Sequence, residues 1–197
     1  MKRKKTLQQV GYVLVLLAAI IILFQRYTTQ NRVRIEQRNK NYAADAAHLK
    51  AEQIDGELTN ALGRINTYAY FLGEGLTGPQ VSAQMLGRME ENAIFDAILF
   101  TDAQGIDHAS DGRVSDVSER AFYTEGMQGR SGMEIIFDPH LFYEIMVCFY
   151  APVSWKGEIV GVLRGAYLAE EYLHLMLDAA YFGEAAEVYL CTPGGEV

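Results

Sequence analysis

A chain of 197 residues, half of them hydrophobic, is long enough for one domain with its own core and something besides. Its formal net charge of −8 is unevenly spread: residues 1–34 carry seven basic side chains and no acidic one, so the remainder is strongly acidic. An acidic body argues against a nucleic-acid partner, because phosphate binding needs clustered Lys and Arg, and two cysteines, Cys148 and Cys191, make neither a disulfide framework nor a metal spacing.

The first element is a membrane anchor. Four basic residues, Lys2–Lys5, precede a stretch from Thr6 to Gln25 that holds no charge and is almost wholly apolar from Val10 to Phe24. Twenty residues at helical rise reach about 30 Å, the thickness of the hydrocarbon layer. The residues after Phe24 are Gln25, Arg26 and Tyr27, a poor match to the small residues of a signal-peptide cleavage site, so an uncleaved anchor is preferred to a cleaved leader. Residues 1–9 are then a cytoplasmic basic tail and 10–25 a transmembrane helix. The lysine cluster holds the N-terminus inside, and the body of the chain lies outside the cytoplasm.

Next comes a Pro-free stretch in which Ala44, Ala47, Ala51, Ile54, Leu58, Leu62, Ile65, Ala69 and Leu72 recur at steps of three and four. That spacing predicts one long helix, with Gly73 and Gly75 as stops. Its apolar face covers a sheet, and its membrane-near half is suited to pair with a second copy, giving a homodimer. Pro79 is placed near the first turn of a second helix with Val81, Met85 and Met89 on its inner face. "IFDAILFTDAQG" (94–105) reads as a strand and turn, and "IDHAS" (106–110) as its return. "MEIIF" (133–137), "YEIMVCFYAPV" (143–153) and "EIVGVLRGAYL" (158–168) are further strands, and "AEEYLHLMLDAA" (169–180) returns to helical spacing. Between the second and third strands, residues 118–127 read as a short helix with Ser118 as N-cap. The expected fold class is α+β, a sheet of about five antiparallel strands with flanking helices. Cys148 sits in an apolar run and reads as a buried thiol, while a Cys148–Cys191 disulfide stays open.

No catalytic constellation stands out, and no cofactor or metal is expected. His48, His108, His140 and His174 fall in separate elements. Asp138 and His140 supply only two possible metal ligands, and Asp-Pro-His in a connection reads more simply as a turn. "TDAQG" and "SDGR" lack the Lys-Ser or Lys-Thr of a phosphate loop.

The order of "LFTDAQG", "DVSERAFYTEGMQG" and "APVSWKGEIVGVLRGAYL" behind a membrane helix and a long helix resembles the extracytoplasmic Cache domains, PAS-like sensor modules of bacterial signalling proteins. The resemblance spans nearly the whole chain beyond the anchor, with residues 28–180 as the sensor module. It implies a ligand pocket lined by Arg120, Phe122 and Tyr123, with Asp138 as the nearby acid. Arg suits a carboxylate as a planar, permanently charged fork, and aromatics supply apolar walls. The alternative is that Phe122 and Tyr123 pack the helix on the sheet while Arg120 bonds structurally. Family members that bind amino acids keep an acid near the end of the last strand, where this chain has Ala166. The implied ligand is therefore a carboxylate or another small polar metabolite.

The resemblance also implies a larger protein. Residues 185–197, ending "VYLCTPGGEV", lie over "AILFT" and its Gly turn as the start of a second, truncated module. The output domain implied first is a diguanylate cyclase, with a histidine kinase or chemoreceptor as alternatives. A membrane-anchored interaction domain without a ligand is the competing reading.

Overall fold

The computed structural model describes residues 2–138 and 144–177, and the side chains among them except those of 2–15, 138 and 175–177. The chain divides into two units, residues 1–52 and residues 53–197. The elements are α1 (Lys2–Gly75), α2 (Ala83–Glu90), β1 (Ala97–Asp102), β2 (Ile106–Ala109), β3 (Val114–Asp116), α3 (Ala121–Met127), β4 (Gly132–Asp138), β5 (Glu144–Trp155), β6 (Glu158–Leu168) and α4 (Ala169–Leu177).

The first unit is helical throughout its described length. From Leu16 to Phe24 its large apolar side chains are more than half exposed. Among the described residues no helix is long and apolar enough to cross a membrane. The expected span 10–25 draws on residues 10–15, whose side chains lie outside the described residues.

The second unit is α+β. Its sheet has six strands in the order β3-β2-β1-β6-β5-β4, every neighbouring pair antiparallel. The sixth, unexpected strand is β3, three residues that continue the β1–β2 hairpin and pair Ile106 with Asp116. Alternation divides the sheet into two faces. Ile98 and Phe100 on β1, Val147, Phe149, Ala151 and Val153 on β5, and Leu163 on β6 point to one side. There Ala61, Ile65, Ala69 and Leu72 of α1, Leu86 of α2 and Ala169 of α4 close a single core. Five of the nine α1 positions expected to form the apolar face lie in this core or against it, from Leu58 onward, and Ala61 joins them one step aside.

Three local boundaries differ from the expected ones. Helix α2 begins at Ala83, not near Pro79, because Ser82 takes the N-cap: its hydroxyl accepts from Met85 N–H at 3.3 Å. Helix α3 is preceded by Arg120 at its N-cap rather than Ser118. Ser118 N–H is taken up by Asp116 Oδ1 at 3.0 Å, and Arg120 N–H bonds Val117 O at 2.9 Å, so a turn occupies the positions read as the helix start. Gly73 lies inside α1, packed against the Ser154 carbonyl, and Gly75 ends the helix. The β5–β6 hairpin closes through Trp155↔Glu158, so β5 runs two residues past Val153, where the strand read from the sequence ends. Lys156 and Gly157 both have positive φ, the signature of a two-residue type I′ turn. Residues 185–197, Cys191 and His140 lie outside the described residues.

Candidate functional site

The opposite face of the sheet, under α3, carries the polar chemistry. Residues paired in register across antiparallel strands share a face, so the register sorts them into rows. One row runs Tyr150, Arg164, Leu99, Ala109. A second runs Glu134, Cys148, Ala166, Ala97, and a third Val162, Thr101, Asp107, Ser115. Ala97, Leu99, Ala109, Cys148 and Ala166 cluster with Ile136 and Met146 as a buried apolar floor. Three alanines in that floor keep it low around the long Arg164 side chain.

Arg164 is 1% exposed, the largest fully buried side chain of the described residues. Its Nη2 donates to Asp107 Oδ2, and Asp107 Oδ1 accepts from Thr101 Oγ1 at 2.8 Å. The guanidinium carbon lies 4.3 Å from the centroid of the Phe122 ring, a cation–π contact in a dry setting. Burial works against the charge of Arg164, but Asp107, Cys148 and Glu134 outweigh it and hold the guanidinium above its ordinary pKa. Two buried atoms here have no hydrogen-bond partner among the described residues: Arg164 Nε and Glu134 Oε1. Natural interiors pair such groups, and an orphaned pair on one face marks a place where something else can bond. Desolvation raises the Glu134 carboxyl above its ordinary value, with Arg164 and Arg120 pulling it back and Asp107 pushing it further up.

Helix α3 is held over this face by specific fits. Gly126 meets β6 where a Cβ would lie 2.5 Å from a Val162 methyl, so only glycine permits the close approach. Phe122, 1% exposed, packs on Tyr150 and Val162. Tyr123 donates its hydroxyl to Ala103 O at 2.9 Å, pinning the helix to the β1–β2 turn. That turn needs Gly105 at φ +81°, with Ser118 against it.

The sequence-predicted residues are therefore distributed. Phe122 touches the Arg164 guanidinium, Tyr123 anchors the helix, and Arg120 is exposed at the N-cap, within electrostatic reach of Glu134. Asp138 ends β4, and its side chain lies outside the described residues. Sequence reasoning missed Arg164, Asp107 and Glu134. Each is an ionisable residue on the inward parity of its strand, Glu134 sharing that parity with Asp138, and parity was the signal that could have found them: Arg164 alternates with Val162 and Ala166. Among the described residues no group of three or more His, Cys, Asp or Glu could hold a metal ion.

A separate groove of about 430 Å³ lies on the other side of the sheet, between α1 and α2. Tyr68, Phe71, Leu72, Met85 and Met89 line it, with Arg88 its single charged residue. It is apolar and distant in kind from the ionised face under α3.

No protein-family model matches the chain, and no curated protein sequence matches it. Solved structures do. The ligand-binding domain of the Pseudomonas aeruginosa PAO1 amino acid chemoreceptor PctC, in complex with GABA, aligns with a TM-score of 0.59 at 20% identity over 71% of this chain and 68% of that one. The sensory domain of the Campylobacter jejuni chemoreceptor Tlp3, with isoleucine bound, gives 0.58 at 11% over 67% of this chain and 60% of that one. The ligand-binding domain of the Pseudomonas fluorescens chemoreceptor CtaA, in complex with L-serine, gives 0.56 at 20% over 71% and 63%. The chain thus spans about two thirds of the length of these domains, and it has the Cache-type fold of bacterial chemoreceptor sensory domains.

Proposed function

We propose that this protein is the extracytoplasmic sensing part of a bacterial transmembrane signalling protein, and that it binds a small ligand through a carboxylate on the α3 face of the sheet. The observation that carries the reading is Arg164 Nε, buried and unpartnered beside Phe122, with Arg120 at the adjoining helix start. A guanidinium fixed by Asp107 through Nη2 keeps its Nε–H as a donor for an anion. GABA, isoleucine and L-serine, bound by the structural neighbours, all carry a carboxylate, which is the chemistry they share with this site. Phe122 supports the guanidinium, Tyr123 holds the helix, and Asp138 at the end of β4 is kept as a contributor to the rim.

In this reading residues 10–25 cross the membrane with residues 1–9 inside, residues 28–180 form the sensor, and residues 185–197 begin a second module. The exposed Leu16–Phe24 stretch suits lipid, and the first unit also presents Val33, Ile35, Tyr42 and Leu49, which suit pairing with a second copy. A chemoreceptor output accounts for the neighbours at least as well as a diguanylate cyclase does. The test is isothermal titration of the whole chain with short carboxylates, GABA and L-serine. Arg120→Ala is expected to cost about 1.5–3 kcal/mol of binding, the worth of a charged hydrogen bond. Unchanged affinity in a folded Arg120→Ala protein removes Arg120 from the site, and no binding by any of these ligands removes the anion reading.

A further inference from the structure

Among the described buried and adjoining side chains of the α3 face, Arg164 and Arg120 stand against Asp107 and Glu134, two formal charges of each sign. Glu144 shares the parity of Glu134 at the far end of the β4–β5 pair and is exposed to solvent, where its charge is screened. Cys148 and Tyr150 face the cluster from β5, and burial raises the Tyr150 phenol, with Glu125 and Glu134 adding to it. Glu125 on α3 is paired with Arg130. An anion entering this face therefore leaves one negative charge in excess in a low-dielectric setting, where uncompensated charge is costly.

The two carboxylates are not equivalent. Asp107 is held by Thr101 and Arg164, whereas Glu134 Oε1 is buried with no partner. We propose that the site takes up a proton at Glu134 when its carboxylate ligand binds, so that the sensor reads the ligand and acidity together. This rests on the anion-binding reading above. The ligand occupies Arg164 Nε and weakens the pull of the two guanidinium groups on Glu134, and its own charge repels the carboxylate. A proton from solvent then bonds to a Glu134 oxygen and restores neutrality. The protonated carboxyl becomes a donor able to bond the incoming anion. Glu134 already stands above its ordinary value without ligand, because burial disfavours its charge, and the ligand's charge pushes in the same direction.

Linkage fixes the sign. A site that binds one proton with its ligand tightens as pH falls, by up to about tenfold per pH unit between the two pKa values of the group. The test is thermal melting of the full chain in detergent micelles, with acetate or propionate against chloride at matched ionic strength, scanned between about pH 5 and about pH 8. Wild type is expected to show a carboxylate-dependent rise in Tm that grows as pH falls. Glu134→Gln, isosteric and unable to titrate, is expected to bind with no pH slope over the same range. A wild-type response that is flat with pH, or a Glu134→Gln protein that keeps the wild-type slope, overturns the proton coupling and leaves the anion site standing. Absence of any carboxylate response at every pH overturns both. If instead GABA or L-serine binds more tightly as pH rises, an amine sits on an ionised Glu134 and the coupling has the opposite sign to the one proposed.

Discussion

The two faces of one sheet solve different problems. Against α1, α2 and α4 the strands present Ile98, Phe100, Val147, Phe149, Ala151, Val153 and Leu163, and the core there is built from apolar side chains. Against α3 the sheet presents Arg164 of β6, Thr101 of β1, Asp107 of β2 and Glu134 of β4 among alanines. β5 and β6 contribute to both faces on alternate residues, so composition alone does not separate them. The first face has the chemistry of burial, which gains about 25 cal/mol for each Å² removed from water. The second bears the desolvation of charged groups, which makes it an unfavourable way to stabilise a fold and a useful way to recognise a charged ligand.

The largest expected effect tests the first face. Phe149 is 1% exposed and its ring lies against Phe95, Tyr167 and Tyr172, with centroids 6.1–6.3 Å away. Phe149→Ala is expected to cost about 3–5 kcal/mol of stability in denaturant melts, equally at all pH values where the protein is folded. A loss below about 1 kcal/mol would show that this face is not the core.

The second prediction opposes it on the ionised face. Arg164→Met alone leaves Asp107 buried with only Thr101, and is expected to cost about 3–5 kcal/mol. Adding Asp107→Leu removes the stranded charge, and the double variant is expected to regain most of that loss, because an apolar pair of similar volume replaces a buried ion pair at little net cost. Carboxylate binding is expected to be absent from both. Recovery of stability without recovery of binding separates the two roles. A double variant that stays as unstable as the single one would mean the ion pair is a structural requirement and the contrast between the faces is false.

How much of this was legible follows from the same contrast. The β5–β6 hairpin was readable because apolar β-branched and aromatic residues fill both parities, and β6 was found with the bounds 158–168 that it has. The α1 face was readable because one helical period suffices to place Ile65, Ala69 and Leu72 together. β3 was missed because Val114-Ser115-Asp116 is short, polar and at the sheet edge, held by pairing to β2 rather than by its own pattern. The candidate site was legible only in its local part. Arg120, Phe122 and Tyr123 form a visible cluster in the sequence, and Phe122 lies against the Arg164 guanidinium. Arg164, Asp107 and Glu134 come from strands up to 57 positions apart, in the case of the Arg164–Asp107 bond, and only register brings them to one face. Ala166 carries no acid itself, but the row through it continues through Cys148 to Glu134, about 10 Å away at the usual strand spacing, and that neighbour is visible only in the register.

The smallest effect sharpens the comparison through a carboxylate of opposite behaviour. Asp102 ends β1, where its Oδ1 accepts from Gln104 N–H at 2.9 Å and Ile106 N–H at 3.0 Å, and its Oδ2 lies 2.8 Å from His108 Nε2. Partial burial raises this carboxyl, but the bonds from His108, Ile106 and Gln104 together outweigh it and hold the pKa below its ordinary value. A folded-state pKa below the unfolded one means that the stabilisation is present above the ordinary carboxylate range and is lost as pH falls through the depressed value. Asp102→Asn keeps an acceptor for the backbone N–H groups and loses the charge toward His108, so its cost is expected to be under about 1 kcal/mol near neutral pH and to vanish in acid. Glu134 has the reverse sign: its folded pKa is raised, so Glu134→Gln should gain stability over wild type at neutral pH and lose that advantage as pH falls and wild-type Glu134 takes its proton. Denaturant melts of both variants at neutral and acid pH give two difference curves that converge on wild type from opposite sides. A deficit of Asp102→Asn that persists unchanged in acid would show that the turn is held by geometry alone, and that Asp102 positions α3 through Ala103 and Tyr123 without contributing its charge.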